Sequence, residues 1–86
     1  MAIKILKHQL THHRGQQYVE MHLGARIIHA GVQNNLPTLW VEEDTSMTKV
    51  HYVFECFHTG DFVPNNLHHV ATFVLDGGTY ILHVYE

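Results

Sequence analysis

Histidine is the side chain through which this sequence offers the most chemistry, since ten of its 86 residues are His. A neutral imidazole donates one hydrogen bond, accepts another, and can ligate a metal ion. The adjacent pairs His12-His13 and His68-His69 would point to opposite faces of a strand, so neither pair can chelate one ion. No two histidines at helical spacing fall on a predicted helix, and paired Cys ligands are absent. We therefore predict no metal site and no cofactor.

Six residues form the predicted ligand-binding set, because they combine hydrogen-bonding side chains, an aromatic ring and a flexible backbone position. His29 and His83 lie inside strong strand patterns and would contact a phosphate or a ribose. The alternative for both is a core or interface imidazole that hydrogen-bonds a backbone carbonyl. The set is His29, Gln33, Trp40, Thr59, Gly60 and His83.

Trp40 and the segment HTGDFVP each have two interpretations. Trp40 would provide a stacking surface for a base or a subunit contact, or it would be a buried core anchor. Around Gly60, the backbone amides would form an anion-binding nest, or the Thr59-Gly60 pair would only mark the exit from a strand.

Catalytic motifs are not apparent in the chain. Cys56 falls on the apolar face of the longest predicted strand, where a thiol packs and does not act as a nucleophile. The Gly-x-Ser-x-Gly pattern and phosphate-cradling glycine loops are also missing. We therefore predict that the protein is not an enzyme.

Composition and charge restrict the class of partner. Five basic and eight acidic residues give a net charge of −3 with His neutral, which argues against general DNA or RNA binding. The start MAIKILKHQL is interrupted by Lys and His, so we expect neither a signal peptide nor a membrane span. The single cysteine fits a reducing compartment, and we expect a cytoplasmic protein.

Strand signals dominate the chain and predict one domain over residues 1–86. Alternating apolar and polar residues recur between turn signals, and the best hairpin spans 26–43 around Asn34-Asn35. Asp76-Gly77-Gly78 predicts a second hairpin, whose return strand TYILHVYE is too apolar to be left unpaired. The pattern is that of a mainly β protein, a small antiparallel sandwich or open barrel of six to seven strands with at most one short helix.

From residue 24 to residue 86 the chain resembles an uncharacterised family of short tailed-phage proteins. The resemblance is carried by ARIIHAGVQNN, PTLWV, the Thr59-Gly60 pair followed by Pro64, and TFVLDGGTYILHVYE. The chain has His58 where the family often has Gly, and Asp61 where it often has His. The resemblance implies a phage protein that acts in the cytoplasm of the infected host cell.

Two classes of function follow from these features. The first is a non-catalytic binding protein, a counter-defence protein that sequesters a nucleotide-derived immune signal. The alternative is a protein interaction module that inhibits a host factor, or a virion accessory protein. In both cases we predict a homo-oligomer, because the segment 49–58 is apolar on both faces in a chain too short to cover both.

Overall fold

The computed structural model describes all of residues 1–86 and shows a sandwich of two antiparallel β-sheets, as the sequence predicts. Strands dominate because β-branched and aromatic residues alternate with polar ones between turns rich in Asn, Asp and Gly. The seven strands are β1 (Ile3–Gln9), β2 (Gly15–His22), β3 (Arg26–Gln33), β4 (Leu36–Asp44), β5 (Lys49–Phe57), β6 (His69–Leu75) and β7 (Tyr80–Tyr85).

The two sheets divide the strands in an order that differs from the chain order. Sheet A has the order β1-β4-β3, and sheet B has the order β2-β5-β7-β6. Long-range pairing adds β1 to the β3–β4 hairpin, and it adds β5, with β2 on its other side, to the β6–β7 hairpin. β5, which carries apolar side chains on both faces, lies inside sheet B between β2 and β7.

Both predicted hairpin turns are present, and residues with positive φ make each of them. Asn34 and Asn35 have φ of 53° and 56°, as a type I′ turn requires. Asp76, Gly77 and Gly78 form a short 3₁₀ turn in which φ is positive at all three positions. The side chain of Asn35 accepts the backbone N–H of Asp76 at 2.8 Å, so the two turns are connected.

The core lies between the sheets and draws on both of them. Leu39 and Val41 of sheet A are fully buried against Phe54, Leu82 and Val84 of sheet B. The C-terminal strand therefore contributes central core residues, as its apolar sequence predicts.

Simple alternation fails at two places. In β3 it predicts that Ile28 lies on the same face of the sheet as Ala30, and that Ile27 lies on the opposite face. A bulge between Ile27 and His29 instead leaves Ile27 packed against the core and Ile28 exposed. At the end of β2 it predicts Leu23 inward and His22 outward, but Leu23 is half exposed and His22 is buried. A bulge residue or the end of a strand changes which side chains point inward, and the amino-acid composition of the strand does not show this.

No helix in the structure has the length and apolar character needed to cross a bilayer.

Candidate ligand cleft

The candidate site is a cleft of about 200 Å³ where the loop after β5 meets the outer face of β7. Its position follows from the strand pattern: Leu82 and Val84 point into the core, so His83 between them points outward. Pro64 cannot donate to a ladder, and it lies in the irregular segment that follows the cleft loop. The lining residues are Phe57, His58, Thr59, Gly60, Asp61, Val63, His83 and Tyr85.

A chain of hydrogen bonds runs through His83. Its Nε2 lies 2.9 Å from the hydroxyl of Thr59, and its Nδ1 lies 3.0 Å from the hydroxyl of Thr72 on β6. That hydroxyl in turn lies 2.9 Å from Nε2 of His69. Both nitrogens of His83 therefore have side-chain partners, which fixes its half-buried ring on the outer face of β7.

Two aromatic rings border the same cleft. Phe57 and Tyr85 are neighbours on β5 and β7, and their ring centroids lie 5.5 Å apart in an edge-to-face arrangement. The rings of Tyr85 and His69 also meet edge to face, with their centroids 5.2 Å apart. Hydrogen-bonding groups and aromatic faces thus occur side by side on an open surface, which suits a flat, polar ligand.

The loop itself is not an open anion nest, because its own carboxylate fills it. Asp61 accepts the backbone N–H of His58 at 2.8 Å, and its own N–H donates to the carbonyl of His58 at 3.0 Å. The first of these bonds lowers the pKa of Asp61, with Arg14 adding a favourable charge. Gly60 is needed here for its φ of 96°. Of the predicted side chains, Thr59 and His83 are the two that line this cleft.

The cleft lacks the charge arrangement of a catalytic triad. Thr59 and His83 have the contact of a hydroxyl with a general base, but the third group is the neutral hydroxyl of Thr72. A carboxylate at that position would stabilise the imidazolium that forms during catalysis, and a hydroxyl does so far less. His83 is therefore part of a chain of neutral hydroxyl and imidazole groups.

The other three predicted residues lie on the outer face of sheet A, on the opposite side of the sandwich. The rings of His29 and Trp40 are 5.2 Å apart, and Gly31 leaves the space in which they meet. Gln33 accepts a hydrogen bond from Lys7 at 2.6 Å. Within one chain, the six predicted residues therefore form two separate groups, one for each outer face.

A buried cluster of polar residues was not predicted. Glu43 is only 1% exposed, and its carboxylate lies 2.5 Å from His8 Nε2 and 2.7 Å from His22 Nδ1. Its Oε1 also accepts the backbone N–H of His22 at 2.8 Å. The signal was present in the sequence, because Glu43 continues the inward series of Leu39 and Val41. These bonds connect β1 and β4 of sheet A to the end of β2 in sheet B.

Two other groups bear on the chemistry of the chain. Burial raises the pKa of the Cys56 thiol to about 11, so the thiol is protonated at neutral pH. No group of three or more His, Cys, Asp and Glu side chains is placed to hold a metal ion.

Comparison with known proteins gives one match. The family model described as "Domain of unknown function (DUF7352)" matches residues 1–86, and the chain belongs to that family. The match includes the first 23 residues, which lie outside the resemblance found from sequence motifs. No curated protein and no solved structure shows significant similarity to the chain.

Proposed function

We propose that this member of the DUF7352 family is a small, non-catalytic binding protein whose ligand is nucleotide-derived and occupies the cleft at His83. The observation that carries the proposal is the fixed, half-buried imidazole, held by Thr59 and Thr72 beside the rings of Phe57 and Tyr85. A base would stack on an aromatic face, and a sugar hydroxyl would bond to the hydroxyl of Thr59, which His83 holds in place and which keeps a further lone pair.

The contacts limit how such a ligand would be oriented. The carboxylate of Asp61 lies at the loop side of the cleft and repels phosphate, although Arg14 at 3.3 Å offsets part of its charge. We therefore place the base and sugar in the cleft, with any phosphate directed toward solvent. In the phage setting that the sequence resemblance implies, the ligand would be an immune signal, and sequestration would be the activity.

Replacement of His83 tests this proposal. We expect the purified protein to release ultraviolet-absorbing nucleotide on heating, and His83→Ala to retain about a tenth or less of that amount. The loss of one or two hydrogen bonds of about 1 kcal/mol each accounts for a change of that size. The melting temperature should change little, because His83 lies on the outer face and not in the core.

Trp40→Ala is the matched control, since it removes a larger ring from the opposite face of the sandwich. It should leave the released nucleotide unchanged. Wild-type protein that releases no nucleotide would overturn the proposal, and a stoichiometric protein partner in its place would support the interaction-module alternative. Loss in Trp40→Ala but not in His83→Ala would move the site to sheet A.

The homo-oligomer forms part of the same proposal, and the outer face of sheet B is the surface we assign to it. Three of its large side chains are well exposed: Tyr18 at 63%, Val53 at 42% and Val74 at 54%. The cleft rings Phe57 and Tyr85 continue this apolar surface. A second copy related by a two-fold axis would cover it and place the cleft at the junction between subunits.

We expect light scattering to give a mass at least twice 9.9 kDa. Val53→Asp should lower that mass to one chain, because it places a charge in the centre of the covered surface. Val32→Asp is the control, since Val32 is 44% exposed on sheet A and outside the contact. A wild-type monomer at micromolar concentration would contradict the assembly and leave the cleft proposal to be tested by the nucleotide experiment.

A further inference from the structure

A second opening in the structure lies within sheet B and is separate from the cleft. β5 pairs with β2 over eight residues, Lys49–Cys56, but with β7 at only Glu55, Cys56 and Phe57. The segment 49–54 therefore has a strand on one side and none on the other. A strand bordered on one side only presents unpaired backbone donors and acceptors, even though β5 is central in strand order.

A cavity of about 400 Å³ lies beside this open segment. Its walls come from the start of β3, from β5, and from the adjoining ends of β6 and β7. The ends of β6 and β7 are closed on each other, because His68 and Glu86 exchange two backbone hydrogen bonds of 2.8 and 2.9 Å. They therefore do not supply partners for β5. The lining residues are Met21, Ala25, Arg26, Ile27, Tyr52, His69, Val70 and Glu86.

The floor of the cavity is apolar, although a tyrosine forms part of it. The hydroxyl of Tyr52 accepts the backbone N–H groups of Gly24 and Ala25 at 3.2 and 3.3 Å, and it donates to the carbonyl of His22 at 3.4 Å. Its polar capacity is used within the chain, so its ring acts as an apolar wall together with Met21. The polar side chains lie at the rim, with Arg26 already paired to Glu42 at 2.7 Å.

From this geometry we infer that the opening is a docking site for an extended peptide segment of a partner protein, which adds a strand beside residues 49–54 of β5. Every second side chain of an added strand points to the same face. The backbone of the segment pairs with β5, and one apolar side chain enters the cavity between Tyr52, Met21 and Val70. Recognition of this kind combines main-chain hydrogen bonds with a side-chain pocket.

A peptide is the occupant that we infer, because the opening combines an unpaired strand with a cavity for a side chain. A folded second copy would have to bring one of its own edge strands beside β5, and a dependence of amide exchange on protein concentration would reveal it. A small apolar molecule would fill the cavity but would leave the backbone groups of 49–54 unpaired. A single extended peptide supplies both the backbone partners for 49–54 and a side chain for the cavity.

The test uses the full-length protein labelled with ¹⁵N, and acetylated peptides of about seven residues that alternate Thr with Leu or Thr with Ser. In the free protein, some amides of residues 49–54 should exchange quickly. The Leu peptide should protect them and shift their resonances, and the Ser peptide should bind about tenfold more weakly or worse. Nuclear Overhauser contacts between Leu methyl groups and the Tyr52 ring should locate the anchor without any substitution.

Ala25→Phe, which fills the cavity, should weaken binding of the Leu peptide by about tenfold. Ile5→Thr is the control and should leave binding unchanged, since Ile5 is 61% exposed on β1 of sheet A. Three results would overturn the inference: no binding of the Leu peptide at about 1 mM, equal binding of the Leu and Ser peptides, or protection of 49–54 in the free protein that rises with protein concentration. The last result would mean that a second copy of the chain covers the segment.

Discussion

Removal of residues 79–86 is expected to abolish cooperative folding. The deletion takes away β7, whose Leu82 and Val84 are fully buried and contribute about 1.5–3 kcal/mol each. It also leaves β6 with no neighbour in its sheet, so that Phe73 and Leu75 lose their place in the core. A domain of this length has a total free energy of unfolding of only about 4–13 kcal/mol. The loss is therefore comparable with the whole stability of the fold.

Circular dichroism during urea unfolding measures the effect. The truncated chain should show no sigmoidal transition, and the single change Leu82→Asp should give nearly the same result. Val74→Thr is the control on the adjacent strand, because Val74 is 54% exposed and Thr has nearly the same shape. A truncated protein that stays soluble and melts cooperatively would show that β7 is not part of the folding unit.

Glu43→Ala is expected to lower the free energy of unfolding by about 3–5 kcal/mol at pH 7, because a buried donor left without a partner costs about 1–3 kcal/mol and the carboxylate accepts bonds from three. The carboxylate accepts bonds from His8, from the ring of His22 and from the backbone of His22, and these donors would lose their buried partner. Burial alone would raise the pKa of Glu43. The bonds from His22 and His8 outweigh it and hold the pKa below its ordinary value of 4.5.

The direction of that shift fixes the pH dependence. A carboxylate whose pKa is lower in the folded state stabilises the fold above its unfolded pKa, and it loses this contribution as the pH falls through the folded value. Wild-type stability should therefore decline below about pH 4.5. Glu43→Gln, which keeps the shape without the charge, should decline less steeply in that range.

Urea unfolding at a series of pH values measures both effects. Glu42→Ala is the matched control, since Glu42 is next in sequence but forms an exposed pair with Arg26. Its effect should stay within about 1 kcal/mol. Equal losses for the two alanine variants would mean that the buried carboxylate does not connect the sheets as the structure indicates.

The fold could be predicted because its signals are local. Alternation marked the strands, and the residues that tolerate positive φ marked both hairpin turns. The alternation gave wrong faces where the chain departs from ideal pleating, at the bulge near Ile28 and at the end of β2. A bulge depends on the pairing register between two strands, and the sequence of one strand does not specify that register.

The site was harder to predict because it depends on which strands become neighbours. Thr59 and His83 are 24 residues apart in the sequence, and the pairing of Phe57 with His83 places them together. Because the sequence does not show which strands pair, His29 and Trp40 were predicted to form one site with His83. The sandwich places His29 and Trp40 on the outer face of sheet A and His83 on the outer face of sheet B. Glu43 was not among the predicted residues, although the strand period that places Leu39 and Val41 inward places Glu43 inward as well.

The division of the strands between the two sheets has a consequence for how the chain folds. Only β3–β4 and β6–β7 are hairpins with short loops, and they belong to different sheets. β1 must find β4, and β2 must find β5, across long stretches of intervening chain. Loop closure of this kind is slow, so refolding belongs in the millisecond to second range of β-sandwiches. The bond between Asn35 and Asp76 joins the turns of the two early hairpins, so it is one of the first long-range contacts available to the folding chain.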